Sequence, residues 1–244
     1  MKILVSPSKT QSLLRHPVPC AQSLLHPDKT LRIIRSLQHH RKERLGELLD
    51  VHGLLLDDTY FMIQNWTLAG SLPAIDLYTG VTFDGLHHLE RTGPVWEYVT
   101  QHVRIFSALY GVLAPSMCVS PYRLDFTVRL WTRESLTTFW KKTVQSYFAN
   151  EDWILDCASV EFSKLLDGIS VPVHKVDFYD VDKNGKHKII SYNAKRMRGL
   201  LVAWCATRQL HLPTELREFA AEGYTYDTLS STPSYTRFVR GTPQ

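Results

Sequence analysis

The chain lacks most of the features that would place it in a specialised class. It has 4 cysteines in 244 residues, and Cys20, Cys118, Cys157 and Cys205 lie far apart, with no C-x-x-C spacing. That pattern signals neither a zinc site nor a disulfide framework. Cys157 and Cys205 sit in apolar runs and read as small core residues, whereas Cys118, in an irregular segment, is a candidate exposed thiol. No apolar run approaches the ~18 residues of a membrane span. The opening Met1-Lys2-Ile3-Leu4-Val5-Ser6-Pro7 is too short for a signal peptide, so a reducing cytoplasm is the expected location. No G-x-S-x-G, H-E-x-x-H, Walker or G-x-G-x-x-G pattern occurs. His39 and His40 are adjacent and point in different directions on a helix, which makes a poor metal pair; neither a metal nor a cofactor is expected. Charge of one sign is also scarce. A net charge of +4 permits nucleic-acid binding but argues for it only where cations cluster.

What is present is the composition of a soluble globular protein, with 44% hydrophobic and 21% charged residues. The length suits one sizeable domain, and no repeat or linker divides it. Lys2 to Ser6 reads as a buried strand running into the hydroxyl-rich loop Ser6-Pro7-Ser8-Lys9-Thr10. Pro27-Asp28 opens a helix through Leu31, Ile34 and Leu37. Leu45 to Trp66 reads as helical, interrupted near Gly53, and Leu72 to Gly80 as a loop and a strand. Pro94 to Val103 is an expected helix, Ile105 to Gly111 a buried strand, and Val112 to Leu130 a long irregular piece of the kind that often carries function. A helix over Glu134 to Asn150, a strand over Trp153 to Ser159 and a short helix over Glu161 to Leu166 follow. Val171 to Val181 and Lys186 to Ser191 read as a hairpin turning at Asn184-Gly185. The acidic spacing of Asp180, Asp182 and Asn184 opens like a calcium loop, but position twelve is Ser191 and both flanks are strand-like. Pro213 to Gly223 reads as a last helix with a glycine cap. Tyr224 to Tyr226 and Tyr235 to Arg240 close the chain as strands. Together these make an α/β fold: a single domain over residues 1–244, with a central mixed sheet flanked by helices.

The most informative stretch is Lys186 to Trp204. Met197, Leu200, Leu201, Trp204 and Cys205 recur at i, i+3, i+4, i+7 and i+8, one face of an amphipathic helix. Ser191 or Asn193 is placed to cap it. Lys195, Arg196 and Arg198 then fall at the end where the helix dipole disfavours cations by ~0.3–1 kcal/mol each. On the helical wheel they lie opposite Met197 and Leu201, away from the apolar face. Free N–H groups with added cations suit a bound anion such as phosphate, although solvated cations beside an ordinary helix give the same pattern. Gly199 inside the helix marks close approach of a backbone or a ligand. Other polar groups at loops after strands are Ser6, Lys9, Tyr122 and Arg123. If the sheet brings them together with Lys195, Arg196 and Arg198, they line one basic, anion-binding cleft.

Several of these segments also occur, in order, in a known family. They are Ile3-Leu4-Val5-Ser6-Pro7-Ser8-Lys9-Thr10, Tyr78-Thr79-Gly80, Ser107-Ala108-Leu109-Tyr110-Gly111-Val112-Leu113, Pro121-Tyr122-Arg123-Leu124 and Ala158-Ser159-x-Glu161-Phe162. Asn184-Gly185-Lys186-x-Lys188-Ile189-Ile190-Ser191, Ala194-Lys195-Arg196-x-Arg198-Gly199 and Glu222-Gly223-Tyr224-x-Tyr226 complete the set. The chain resembles the YaaA family of peroxide-stress proteins from end to end. The resemblance implies a cytoplasmic protein that binds duplex DNA through a positively charged cleft, with weak sequence preference, and that limits iron-driven oxidative damage. It carries Lys9, Arg123, Lys195, Arg196 and Arg198 over as anion contacts. It also implies a DNA-binding helix-hairpin-helix near Leu45 to Trp66. The hairpin expected there, Leu54 to Thr59, has no glycine and carries Asp57 and Asp58, which would repel phosphate. The alternative, from another class, is an enzyme acting on a nucleotide-like or phosphorylated small molecule in the same cleft, with Tyr122, Asp125 and Glu161 as acid or base.

Overall fold

Lys2–Val5 form the first strand, β1, and its Ile3, Leu4 and Val5 are wholly buried. An unbroken apolar run suits a strand whose sheet is covered on both faces. β1 lies within an eight-stranded sheet in a computed structural model that describes residues 1–12, 23–68, 72–131 and 134–241. Cys20 lies outside the described residues.

After β1 come α1 (Pro27–Gln38), α2 (Lys42–Leu49), α3 (Gly53–Gln64), β2 (Leu72–Pro73), α4 (Ala74–Leu77), α5 (Val81–His87) and α6 (Gly93–His102). The middle of the chain forms β3 (Val103–Ser107), β4 (Gly111–Leu113), β5 (Cys118–Val119), α7 (Leu136–Phe148), β6 (Ile154–Cys157) and α8 (Val160–Ser163). β7 (Val173–Val181), β8 (His187–Lys188), α9 (Ser191–Arg208), β9 (Thr225–Tyr226) and β10 (Tyr235–Arg240) complete it. The strand order is β4-β3-β1-β6-β7-β10-β9, with β8 also on β7 and a separate β2-β5 pair. β3, β1, β6, β7 and β10 are parallel, while β4, β8 and β9 add antiparallel partners. From β1 the chain pairs first with β3 on one side and later with β6 on the other. Ligands of open α/β sheets sit outside the carboxyl ends of the strands at such a reversal of order.

Several expectations need correction. The segment from Ile105 to Gly111 is not one strand: β3 and β4 form a hairpin in which Ser107 pairs with Gly111 and the Ser107 hydroxyl accepts from the Tyr110 amide at 3.0 Å. Ala74 to Leu77 is a helical turn where a strand was expected. Ile189 and Ile190 do not pair; they are exposed and lead straight into α9. The last helix is a 3₁₀ segment, Pro213–Glu218, held by Glu215 accepting from the His211 and Leu212 amides, and Gly223 instead turns the chain between Ala221 and Tyr224. Cys118 is buried and disulfide-bonded, neither exposed nor a free thiol.

The helical hairpin turns at the break read near Gly53, and not over Leu54 to Thr59 as the resemblance implied. α2 and α3 meet at Asp50-Val51-His52, where Asp50 adopts φ 52° and Gly53 φ 56°. The chain therefore turns on the glycine side of the segment, in the left-handed region that glycine tolerates best. Asp57 and Asp58 lie within α3, and Asp57 is ion-paired to Lys42 of α2.

α9 is buried on a wider arc than its apolar stripe, with Ala194, Met197, Gly199, Leu201, Val202, Cys205 and Ala206 all inside. Its closest neighbour is α5. A Cβ on Gly199 would lie 2.0 Å from the Thr82 carbonyl oxygen, so the close approach is to another backbone. Gly199→Ala should lower the unfolding free energy by about 1–3 kcal/mol, because overpacking against a rigid carbonyl outweighs the gain of ~1 kcal/mol in helix propensity. A urea midpoint equal to or above that of the parent would contradict this.

Asp180 of β7 ties several elements together. Its Oδ1 accepts from Arg240 Nε and Nη2 at 2.9 and 2.6 Å, and its Oδ2 from Tyr224 at 2.8 Å and Asn193 at 3.1 Å. Burial alone would raise this carboxyl, but hydrogen bonds from Asn193, Tyr224 and Arg240 together hold it below the usual carboxylate range. Its contribution to stability is present above the unfolded value of about 3.9 and is lost as pH falls through the lower folded value. Asp180→Asn should melt below the parent at pH 7, and the gap should shrink in acid below about pH 3. Melting curves at both pH values test this, and a gap that stays constant with pH would count against it.

Candidate functional site

The carboxyl ends of β1 and β6 open into a cleft of about 540 Å³. Ser6 follows β1 and Ser159 follows β6. The Ser159 amide donates to Ser6 Oγ at 2.8 Å, the two hydroxyls are 3.2 Å apart, and Ser159 Oγ reaches Glu161 Oε1 at 3.5 Å. The two Ser6–Ser159 contacts bridge 153 positions in the chain, and the sheet order makes them possible.

Ser6, Lys9, Tyr122, Arg123, Lys195 and Arg198 all line this one cleft; Arg196 does not. Their states differ. The Tyr122 hydroxyl is committed to buried partners, Ser107 Oγ at 2.7 Å and Tyr78 at 2.9 Å, and burial pushes its phenol up to about 12. It forms a neutral wall and is poorly suited to acid–base exchange near neutral pH. Its amide donates to Gln11 at 2.9 Å, which fixes the loop after β1 against the Pro121 segment. Lys9 pairs with Asp125 at 2.8 Å, with both side chains well exposed. Among the described residues neither Arg123 nor Lys195 has a carboxylate within ion-pair distance.

Arg198 departs most from expectation. The helical wheel leaves it outside the apolar face, yet it is 7% exposed, with Nη2 3.1 Å from Asp177 Oδ1. Asp177 lies on β7, so the guanidinium tethers α9 to the sheet. Its Nε is buried with no hydrogen-bond partner. Behind it lies a smaller cavity of about 230 Å³ shared with Asp156, Lys175 and Asp177. Burial pushes the Asp156 carboxyl up despite an amide hydrogen bond from Ala158 at 3.0 Å. Arg196 turns away, its Nε and Nη2 2.7 and 2.6 Å from Glu222 Oε1.

The start of α9 also differs from expectation. Ser191 is its first residue, Ile190 holds the cap position, and among the described residues no side chain caps the helix. Asn193 is occupied with Asp180 instead. Ser191, Tyr192 and Lys195 line the cleft, so an uncapped helix start with one unpaired cation borders it. The α2–α3 turn lies close by, since Leu49 and Asp50 share a small cavity with Lys9, Arg123 and Asp125. Reading residues one loop at a time missed Gln11, Thr82 and Ser159 as lining groups. Ser159 lies inside one of the ordered segments quoted above, and that was its only signal. Among the described residues no group of three or more His, Cys, Asp or Glu is placed to hold a metal ion.

Comparison with known proteins agrees with the ordered segments. The family profile described as "Peroxide stress protein YaaA" matches residues 1–229. A UPF0246 protein of Methylibium petroleiphilum is 31% identical with all of both chains covered. Another, of Fusobacterium nucleatum, is 30% identical over 231 residues, 92% of each chain. One of Legionella pneumophila (strain Lens) is 28% identical, covering 98% of this chain and 99% of its own. With a profile spanning nearly its whole length and relatives matched from end to end, the chain belongs to the YaaA family of peroxide stress proteins.

Proposed function

We propose that the chain serves the peroxide response by binding the phosphates of duplex DNA at this cleft, in the cytoplasm, and so limits iron-driven oxidative damage. The observation that carries the reading is the convergence of Ser6, Lys9, Arg123, Lys195 and Arg198 on one crevice beside an uncapped helix start. Cations and free amides of this kind suit phosphate oxygens and carry no means of reading base edges. The α2–α3 turn beside Lys9 and Arg123 extends the same surface. An enzymatic role has less support, because Tyr122 is held neutral and Asp125 is paired with Lys9, which leaves Glu161 as the available carboxylate.

DNA affinity should fall steeply between low and physiological salt and vary little with sequence. Lys195→Ala should weaken binding uniformly across sequences and reduce the log–log salt slope by about 1. Titrations of parent and variant at several salt concentrations read both quantities, and a flat salt response would end the phosphate account.

Arg198→Ala should behave differently. It removes the cationic partner of Asp177, which keeps only the Tyr235 hydroxyl at 3.4 Å, so the variant should lose about 1–3 kcal/mol of stability in denaturant unfolding. An Arg198→Ala protein as stable as the parent would mean that the Asp177 tether contributes nothing.

A further inference from the structure

The cleft holds more than a phosphate site requires. Its volume, about 540 Å³, is that of a small-molecule pocket. Three kinds of group are arranged around it. At one end lie the uncapped start of α9, the unpaired Lys195, and Arg198 with its partnerless buried Nε. At the floor lie the linked hydroxyls of Ser6 and Ser159 with the exposed carboxylate of Glu161. Around them are the aromatic and apolar side chains of Tyr192, Phe162 and Leu124. Tyr192 is 63% exposed and stands outside the hydrophobic core of the described residues.

We infer that the cleft binds a ribonucleoside monophosphate. This rests on the reading of the cleft as a phosphate site and adds the rest of the ligand. The phosphate lies at the α9 end, where helix amides and cations favour a dianion. Glu161 accepts from the ribose hydroxyls, as a carboxylate near a sheet's ligand crevice does for a vicinal diol. The base stacks on Tyr192, since an aromatic face accepts any base. Glu161 also discriminates, because a deoxyribose lacks the 2′-hydroxyl that it would hold.

The test is calorimetric titration of the full chain with AMP, dAMP, ribose 5-phosphate and inorganic phosphate, beside a DNA titration. AMP should bind about tenfold or more tightly than each of the other three, the scale of one charge-assisted hydrogen bond or one stacked base. Glu161→Gln should bring AMP down to the level of dAMP, and Tyr192→Ala should bring it down to that of ribose 5-phosphate. Both positions are exposed, so neither change disturbs the core. AMP binding no tighter than inorganic phosphate overturns the inference. So does an unchanged preference for AMP over dAMP in Glu161→Gln. If phosphate and DNA still bind through Lys195 in those cases, the phosphate-cleft reading survives without the nucleotide; if no phosphate-bearing probe binds, both fall.

Discussion

The contact between Gly199 of α9 and the Thr82 carbonyl of α5 leaves no space for a side chain. That crossing fixes how far α9 can slide along its axis, and thus where its first turn stands relative to the ends of β1 and β6. Two side chains of α9 complete the fixation. Asn193 donates to Asp180 and Arg198 to Asp177, both on β7. A helix held in its middle by close packing and the Arg198 contact, and in its first turn by Asn193, cannot rotate that turn out of the crevice without losing all three. The site is therefore a consequence of packing, and its polar groups occupy positions that the packing defines.

The cations around the cleft divide by what holds them. An exposed pair such as Lys9–Asp125 is worth roughly 0–1 kcal/mol, so an arriving anion can compete for the lysine at little cost. A buried guanidinium cannot be released in that way, because separation would leave its desolvated charge without a counter-ion. Arg198 thus supplies field and position from behind the site, while Lys195 and Arg123, with no carboxylate at ion-pair distance among the described residues, can turn onto a ligand. Cations that look alike in a run of basic residues have unlike duties once their burial is known.

This division explains what was legible in the amino-acid sequence and what was not. β1, β6, β7, α1, α6 and α7 follow from apolar runs, alternation and periodicity, and Ser135 caps α7 by accepting from the Thr138 amide. The α/β class and mixed sheet follow from their order. The burial of Arg198 was not legible, because the wheel registers apolar neighbours and Asp177 lies 21 positions away in another element. Asn193 looked like a cap for the same reason: its competing partner, Asp180, comes from a strand. The break read near Gly53 matches the turn between α2 and α3, whereas the hairpin carried over from the resemblance, Leu54 to Thr59, lies a few residues too late, inside α3. Short segments such as α4 and the β3–β4 hairpin depend on backbone hydrogen bonds that composition does not encode.

β1 has strand neighbours on both edges, β3 and β6, whereas β9 is two residues long with a single neighbour. Local opening begins at such edges and reaches doubly paired strands last. Ser6 and Ser159 extend from the deep part of the sheet. The first turn of α9 instead follows the β7–β8 hairpin, whose residues from Lys183 to Ile190 are exposed. One wall of the cleft is thus mounted on the doubly paired centre of the sheet, and the other on a helix that is itself anchored but is entered through an exposed, peripheral hairpin. In such a cleft the hairpin at the rim can yield to what enters while the hydroxyl floor and the anchored helix start keep their geometry.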